Sequence, residues 1–456
     1  MQHSQDTITA IATPMGVGAV GIIRMSGHQS LDIIGKIFRP SGGKLKPYQL
    51  KHGWISDMHG NILDEVLVSF MPGPRSYTGE DIVEINCHGN PAILEGVMDT
   101  LISLGAGEAQ PGEFTKRAYL NNKMDLTQAE AVLEMINAPT QTGIILARNK
   151  LKGLLGQKIS QLRQSLEELK RQLCLAVDFP EEEIECLSPK ELTDSVRQCL
   201  IEMENLIADF DQGRIWTDGV LSVLTGRVNA GKSSLMNSIL GRERAIVTDL
   251  PGTTRDYLEE SINLKGLPVR LVDTAGLRKT CDHIEQKGMD RGRELIDSAD
   301  ILILVLDSTV EPSSTDMEIC EASGDKLIVV LNKWDKIKEP MQPILDIERK
   351  YEDVIRVSAK TGQGISELTA RIRQKSLSTG REISSGTMIP NLRQKKCLEK
   401  ASTELKSLID EALSGIPYDL LASRLDYACS ELDQVTGRIT PDDVLNSIFD
   451  NFCIGK

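Results

Sequence analysis

The chain of 456 residues carries 52 Lys and Arg against 66 Asp and Glu, a formal net charge of −14, which argues against wrapping nucleic acid through a global basic field. Its length calls for about three domains, and its 9 cysteines form neither a C-x-x-C pair nor an even framework, so a reducing, cytoplasmic setting is expected. The start, Met1-Gln2-His3-Ser4-Gln5-Asp6, lacks a leader's basic and apolar stretches, and no apolar run reaches membrane-spanning length.

Residues 1–118 alternate β-rich runs at 7–12, 20–24, 65–70 and 81–87 with glycine turns, which predicts a small α+β domain. The glycines of 16–21 lack dinucleotide-fingerprint spacing and follow Pro14, so they read as a turn; residues 71–79 read as a loop. Residues 119–215 turn helical. Leu155, Ile159, Leu162, Leu166, Leu169, Leu173 and Ala176 recur at spacings of four and three, predicting a long bundle helix that Phe179-Pro180 stops. Glu181 to Glu183 read as a solvated helix start, and another helix is expected over 189–210.

Residues 216–377 place apolar strands at 220, 269, 301, 327 and 354 between helical segments, which predicts a mostly parallel sheet covered on both faces. Lys265-Gly266 suggests one antiparallel hairpin at its edge. Residues 378–456 are helical again: Leu420, Leu421, Leu425, Ala428 and Leu432 form one face, and Thr440-Pro441-Asp442-Asp443 reads as a helix start with a hydroxyl cap. Helices on both sides predict a nucleotide domain inserted into a helical domain of two segments. The final Cys453-Ile454-Gly455-Lys456 imitates a prenylation box that Gly455 and Lys456 suit poorly.

The chemistry concentrates in the inserted domain. Gly226-Arg227-Val228-Asn229-Ala230-Gly231-Lys232-Ser233 is a phosphate loop: its glycines turn backbone N–H groups inward, Lys232 sets a charge on the outer phosphates, and Ser233 offers a hydroxyl to Mg²⁺. Ala230, Gly231 and Ser234 complete the lining. Asp273-Thr274-Ala275-Gly276 ends a strand where the acid holds Mg²⁺ through water and the glycine N–H meets the last phosphate. Asn332-Lys333-Trp334-Asp335 ends another, where the Asp335 carboxylate takes two bonds from a guanine edge that adenine cannot supply. Ser358-Ala359-Lys360 presents backbone N–H to the guanine oxygen. The expected ligand is GTP.

Hydrolysis needs a device of its own, because the position of the water-orienting glutamine of Ras-like enzymes holds Leu277. Asn229 can hold a monovalent cation against the phosphates and Glu285 can orient water, although a loop Asn making local bonds and a solvated helical Glu are the plainer readings. In Gly252-Thr253-Thr254-Arg255-Asp256, Thr254 is the candidate to complete the Mg²⁺ shell, and Arg255, with Lys232, is counted among the catalytic candidates.

The chain resembles the MnmE/TrmE tRNA-modification GTPases along essentially its whole length. The resemblance rests on residues 21–27, Tyr77-Thr78-Gly79-Glu80-Asp81, His88-Gly89, Pro111-Gly112-Glu113-Phe114-Thr115, Asp178-Phe179-Pro180, the phosphate loop, residues 252–256 and the C-terminal Phe452 to Lys456. It implies a homodimer joined through N-terminal domains, each binding formyl- or methylene-tetrahydrofolate through Arg24, Glu84, Lys123 and Lys456, with Cys453 nearby. It makes Asn229 a potassium ligand with oxygens of Thr248, Leu250 and Thr253, brings Asp249, Pro251 and Gly252 to the nucleotide, and matches Glu285 to a water-orienting glutamate. It further implies an FAD-dependent partner of the MnmG/GidA type, in a heterotetramer that modifies the wobble uridine of certain tRNAs; such a partner can supply the basic surface that this acidic chain lacks. A GTP-regulated assembly switch of the Era type would instead carry a basic RNA-binding module after the nucleotide domain, where this chain has a leucine-rich helical segment. A purely structural dimerising GTPase would bind no folate.

Overall fold

The computed structural model describes residues 6–178, 188–242, 245–246, 259–273, 294–378 and 387–456. They divide into two compact units, one of residues 1–133, 150–196 and 403–456, the other of 134–149 and 197–402. The helical segments are therefore shared between the units.

The first unit holds a sheet of strands β1 (Ile8–Ile11), β2 (Val20–Ser26), β3 (Phe38–Pro40), β4 (Lys51–Ser56), β5 (Ile62–Met71), β6 (Ile82–His88) and β7 (Gly107–Glu108), in the order β3-β4-β5-β6-β2-β1-β7. Neighbours are antiparallel except β1 and β7, which run parallel. In β5 alternate side chains turn inward, so Val66, Val68 and Phe70 are buried while Glu65 and Leu67 face out. The strand starts earlier than its apolar run suggests because Asp57 closes a tight turn ahead of it, its carboxylate accepting from the N–H groups of His59 and Asn61. Helices Ser30–Ile37 and Pro91–Ser103 pack on the sheet through Ile33, Ile34, Leu94, Val97 and Leu101. Asn90 caps the second, accepting from Ala92 N at 2.9 Å.

The long helix spans Leu154–Asp178. It buries Leu155, Ile159, Leu162, Leu166, Leu169 and Leu173, while Ala176 is only half-buried. It lies along helix Tyr418–Thr436, with Arg163 on Asp433 at 2.7 Å and Lys170 on Asp426 at 2.5 Å. Of the face predicted there, Leu421, Leu425, Ala428 and Leu432 are buried but Leu420 is 54% exposed, because one step along a helix turns a side chain by about 100°. The last helix, Asp442–Phe449, has Pro441 rather than Thr440 at its N-cap. The Thr440 hydroxyl, expected to cap it, is buried with no hydrogen-bond partner among the described residues.

The second unit carries β8 (Val220–Thr225), β9 (Ala245–Ile246), β10 (Glu259–Leu264), β11 (Leu267–Asp273), β12 (Ile301–Asp307), β13 (Leu327–Asn332) and β14 (Val354–Arg356), in the order β14-β13-β12-β8-β11-β10-β9. β8 and β11 to β14 are mutually parallel and β10 is antiparallel to both its neighbours. Successive residues supply opposite faces: Leu224, Val305 and Val330 pack with helices Lys232–Leu240 and Ile365–Ser378, and Val223, Leu304 and Val329 with helix Gln342–Lys350. Burial on both faces is why these strands read as unbroken apolar runs. Lys265 (φ 51°) and Gly266 (φ 92°) form the two-residue turn between β10 and β11. The short β9, rather than this hairpin, lies at the sheet's end.

Candidate functional site: a guanine-nucleotide cleft

The loops after β8, β13 and β14 and the last residue of β11, Asp273, lie at the carboxyl ends of the parallel strands, where ligands of open α/β sheets bind. The phosphate loop leaves β8 at Gly226 (φ 131°), where an added Cβ would lie 2.3 Å from the Val305 carbonyl oxygen. Gly231 (φ 96°) closes it, where a Cβ would lie 2.2 Å from Asn332 Nδ2. Any side chain at either position would open the loop. Lys232 starts the following helix and is buried, its Nζ donating to the carbonyls of Gly226 at 2.8 Å and Arg227 at 2.9 Å. Its charge is therefore held across the loop that binds phosphates.

Ser233 Oγ donates to Asp273 Oδ2 at 2.7 Å, and Asp273 is 1% exposed at the end of β11. A hydroxyl beside a carboxylate is a hard-oxygen donor pair, and Mg²⁺ takes one or two such protein ligands and completes its shell with phosphate oxygens and water. The residues fit that ion.

The base-reading loop is tied to the phosphate loop. Asn332 Nδ2 donates to the Ala230 carbonyl at 2.8 Å and its Oδ1 accepts from Ala359 N–H at 3.1 Å. Lys333, in the left-handed region at φ 62°, donates from Nζ to the Asn229 carbonyl at 2.8 Å and to Asp307 Oδ2 at 2.6 Å. Burial pushes the Asp307 carboxyl up, but the bonds from Lys333 and Thr309 outweigh it and hold its pKa low. Asp335 is exposed, and Ser358 Oγ donates to its Oδ1 at 2.6 Å. That bond holds the carboxyl below its ordinary range, keeping it an acceptor for the two N–H groups of a guanine edge. One expectation changes: Ala359 N–H donates to Asn332, so it must share or exchange this bond to meet a guanine oxygen.

Asn229, Ala230, Gly231, Lys333, Asp335, Ser358, Ala359 and Lys360 lie on these loops, Lys232, Ser233 and Ser234 open the helix that follows the phosphate loop, and Asp273 and Asn332 end β11 and β13. The Asn229 side chain is exposed, on a residue at φ 65°. Thr248, Asp249, Leu250, Pro251, Gly252, Thr253, Thr254, Arg255, Thr274, Ala275, Gly276 and Glu285 lie outside the described residues. Asp307 was not foreseen; its signal was an acid ending an apolar strand, in register with Asn332.

A second cluster forms in the first unit. Arg24 on β2 and Glu84 on β6 are register partners and pair at 2.8 Å. Arg24 Nη1 donates to the Gly455 carbonyl at 3.1 Å, its guanidinium lies 5.7 Å from the Phe114 ring centre, and Phe114 N–H donates to the Lys456 carbonyl at 3.2 Å. Burial, then the Arg24 charge, lowers the Lys456 pKa. A partly buried cation pair beside an aromatic ring fits a flat, anionic ligand of the folate kind. Lys123 is exposed and donates to the Pro74 carbonyl at 2.8 Å. Cys453 is exposed. The other resemblance segments brace this region: Tyr77 OH bonds Thr115 Oγ1 at 2.9 Å, and Arg117 reaches Glu80 at 3.3 Å.

The parallel sheet, the phosphate loop with Asp273 beside it, and the two base-reading loops define a P-loop protein of the guanine-nucleotide-binding class. The family model described as the MnmE helical domain matches residues 126–453, and that of the GTP-binding protein TrmE N-terminus matches 7–123. The tRNA modification GTPase MnmE of Nitratidesulfovibrio vulgaris (strain DP4) is 48% identical over 100% of both chains, and that of Lawsonia intracellularis is 44% identical over 99% of this chain and 100% of its own. The chain belongs to the MnmE family of tRNA modification GTPases. Among solved structures, the G domain of the T. maritima FeoB iron transporter aligns with 35% of this chain and 98% of its own at 24% identity and a TM-score of 0.26.

Proposed function

We propose that the protein hydrolyses GTP to drive modification of the wobble uridine of certain tRNAs, as a homodimer working with an FAD-dependent protein of the MnmG/GidA type in a heterotetramer. With that partner it installs an aminomethyl or carboxymethylaminomethyl group. The observation that carries the nucleotide reading is the Asn332 bridge, which ties the phosphate loop to the loop bearing Asp335. The tRNA role is supported by relatives that share the whole length of the chain.

Asp335 selects guanine, while Lys232 and the loop N–H groups hold the phosphates. Water attacks the γ-phosphorus, the bond to the β–γ bridging oxygen breaks, and GDP and phosphate leave. Ser233 and Thr254, with Asp273 behind them, would hold Mg²⁺, which offsets phosphate charge. Asn229, with oxygens of Thr248, Leu250 and Thr253, would hold K⁺ as a further positive charge where the two nucleotide domains of the dimer pair. Glu285 orients the water and Arg255 assists. Arg24, Glu84, Lys123 and Lys456 would hold a formyl- or methylene-tetrahydrofolate, which supplies a one-carbon unit, with Cys453 beside it. The setting is the cytoplasm.

The test is the GTP hydrolysis rate in potassium against sodium for wild type, Asn229→Ala and Glu285→Ala, with GTP affinity measured in parallel. Wild type should be fast only in potassium, Asn229→Ala should lose that selectivity, and Glu285→Ala should bind GTP yet hydrolyse it slowly. Equal rates in sodium, or full activity in both variants, would replace this mechanism with a slow switch.

A further inference from the structure

Arg356, the last residue of β14, belongs to none of the nucleotide motifs yet bears on two of them. Its Nε and Nη2 donate to Glu348 Oε1 at 2.6 Å and Oε2 at 2.8 Å, a fork that fixes the guanidinium plane. Glu348 sits on helix Gln342–Lys350, anchored in the core by Ile344 and Ile347. Held this way, the guanidinium lies 4.5 Å from the centre of the Trp334 ring, within stacking range.

Trp334 stands between Lys333 and Asp335, and its N–H donates to the Val357 carbonyl at 3.1 Å. Val357 precedes Ser358, whose hydroxyl holds Asp335. The Trp334 backbone thus joins the two base-reading loops, and its ring rests on a shelf built from outside them. We infer that Arg356 is a positioning residue for guanine selection: by fixing Trp334 it fixes the direction in which the Asp335 carboxylate meets the base's N1–H and exocyclic amine. The inference deepens the guanine-nucleotide reading and rests on it. A displacement of the carboxylate of about 1 Å is enough to spoil two parallel hydrogen bonds, so a half-exposed arginine can govern selectivity without touching the nucleotide.

The experiment compares GDP with inosine diphosphate, which lacks the exocyclic amine, by calorimetric titration of the full-length protein. Wild type should prefer GDP. Arg356→Ala should weaken GDP about tenfold while inosine diphosphate changes by less than about threefold, so the preference shrinks. Arg356→Lys, which keeps a cation over the ring but loses the fork, should fall between, and Trp334→Phe should keep more of the preference than Trp334→Ala. A role limited to general stability would weaken both nucleotides alike, and that result overturns the inference, as does an unchanged preference in Arg356→Ala. No preference in wild type would instead overturn the guanine reading itself.

Discussion

Replacing Asn332 with alanine removes one side chain and unties two loops. Asn332 is 2% exposed; its loss leaves the Ala230 carbonyl without its donor and the Ala359 N–H without its acceptor. An unsatisfied buried group costs about 1–3 kcal/mol. The Ala230 bond is fully buried and the Ala359 bond is only partly so, so the sum should be about 2–4 kcal/mol. The cost falls on loops that nucleotide must then reorder, so GDP affinity should drop by about 30-fold to several-hundred-fold. Asn332→Asp sharpens the test. It keeps an acceptor for Ala359 but sets a carboxylate oxygen against the Ala230 carbonyl, and it should bind GDP no better than the alanine variant. Gly231→Ala should cost less in the Asn332→Ala background than in wild type, because the clash with the Asn332 amide is gone while the strain of a side chain at φ 96° remains. Calorimetric GDP titration reads all of these, with urea unfolding as the control for the fold. Affinity within about twofold of wild type in either Asn332 variant would refute the bridge, since even a single net hydrogen bond is worth about 1 kcal/mol.

Two further outcomes follow from the first unit. The hydrogen bond that His88 Nδ1 donates to the Asp64 carboxylate, then the carboxylate's charge, raises the His88 pKa, so the ring should titrate by NMR above its ordinary value of about 6.5 and fall back toward it in Asp64→Asn. Because the folded value is the raised one, the stabilisation is complete below about 6.5 and is lost as pH climbs through the folded pKa; a variant with an unshifted His88 should show no such loss. Gly455→Ala, at φ 91° with a Cβ 2.6 Å from the Ile11 carbonyl oxygen, should push the C-terminus off the sheet at a cost of about 1–3 kcal/mol. Phe114 amide protection should fall with it, since that N–H is bonded to Lys456; unchanged protection would show that the backbone yields without releasing the contact.

The nucleotide loops were legible because their chemistry is local. A phosphate loop needs glycines and a lysine at fixed spacing, and a parallel sheet buried on both faces writes its strands as continuous apolar runs. The first unit was less so. β4 is interrupted by Gly53, whose missing side chain admits the Arg39 carbonyl, a Cβ there lying 2.3 Å from it, and helix Pro91–Ser103 has only the cap and first-turn proline of Asn90-Pro91 as its local signal. The sequence by itself determined which loops would bind guanine nucleotide, since each motif holds its own donors and acceptors within a few residues. Only the tertiary structure decided that Asn332 bridges to Ala230, that Asp307 holds Lys333, that Arg356 shelves Trp334, and that Gly455 closes on Arg24. These pairs are set by sheet register and chain crossovers, which bring together residues that no local spacing relates.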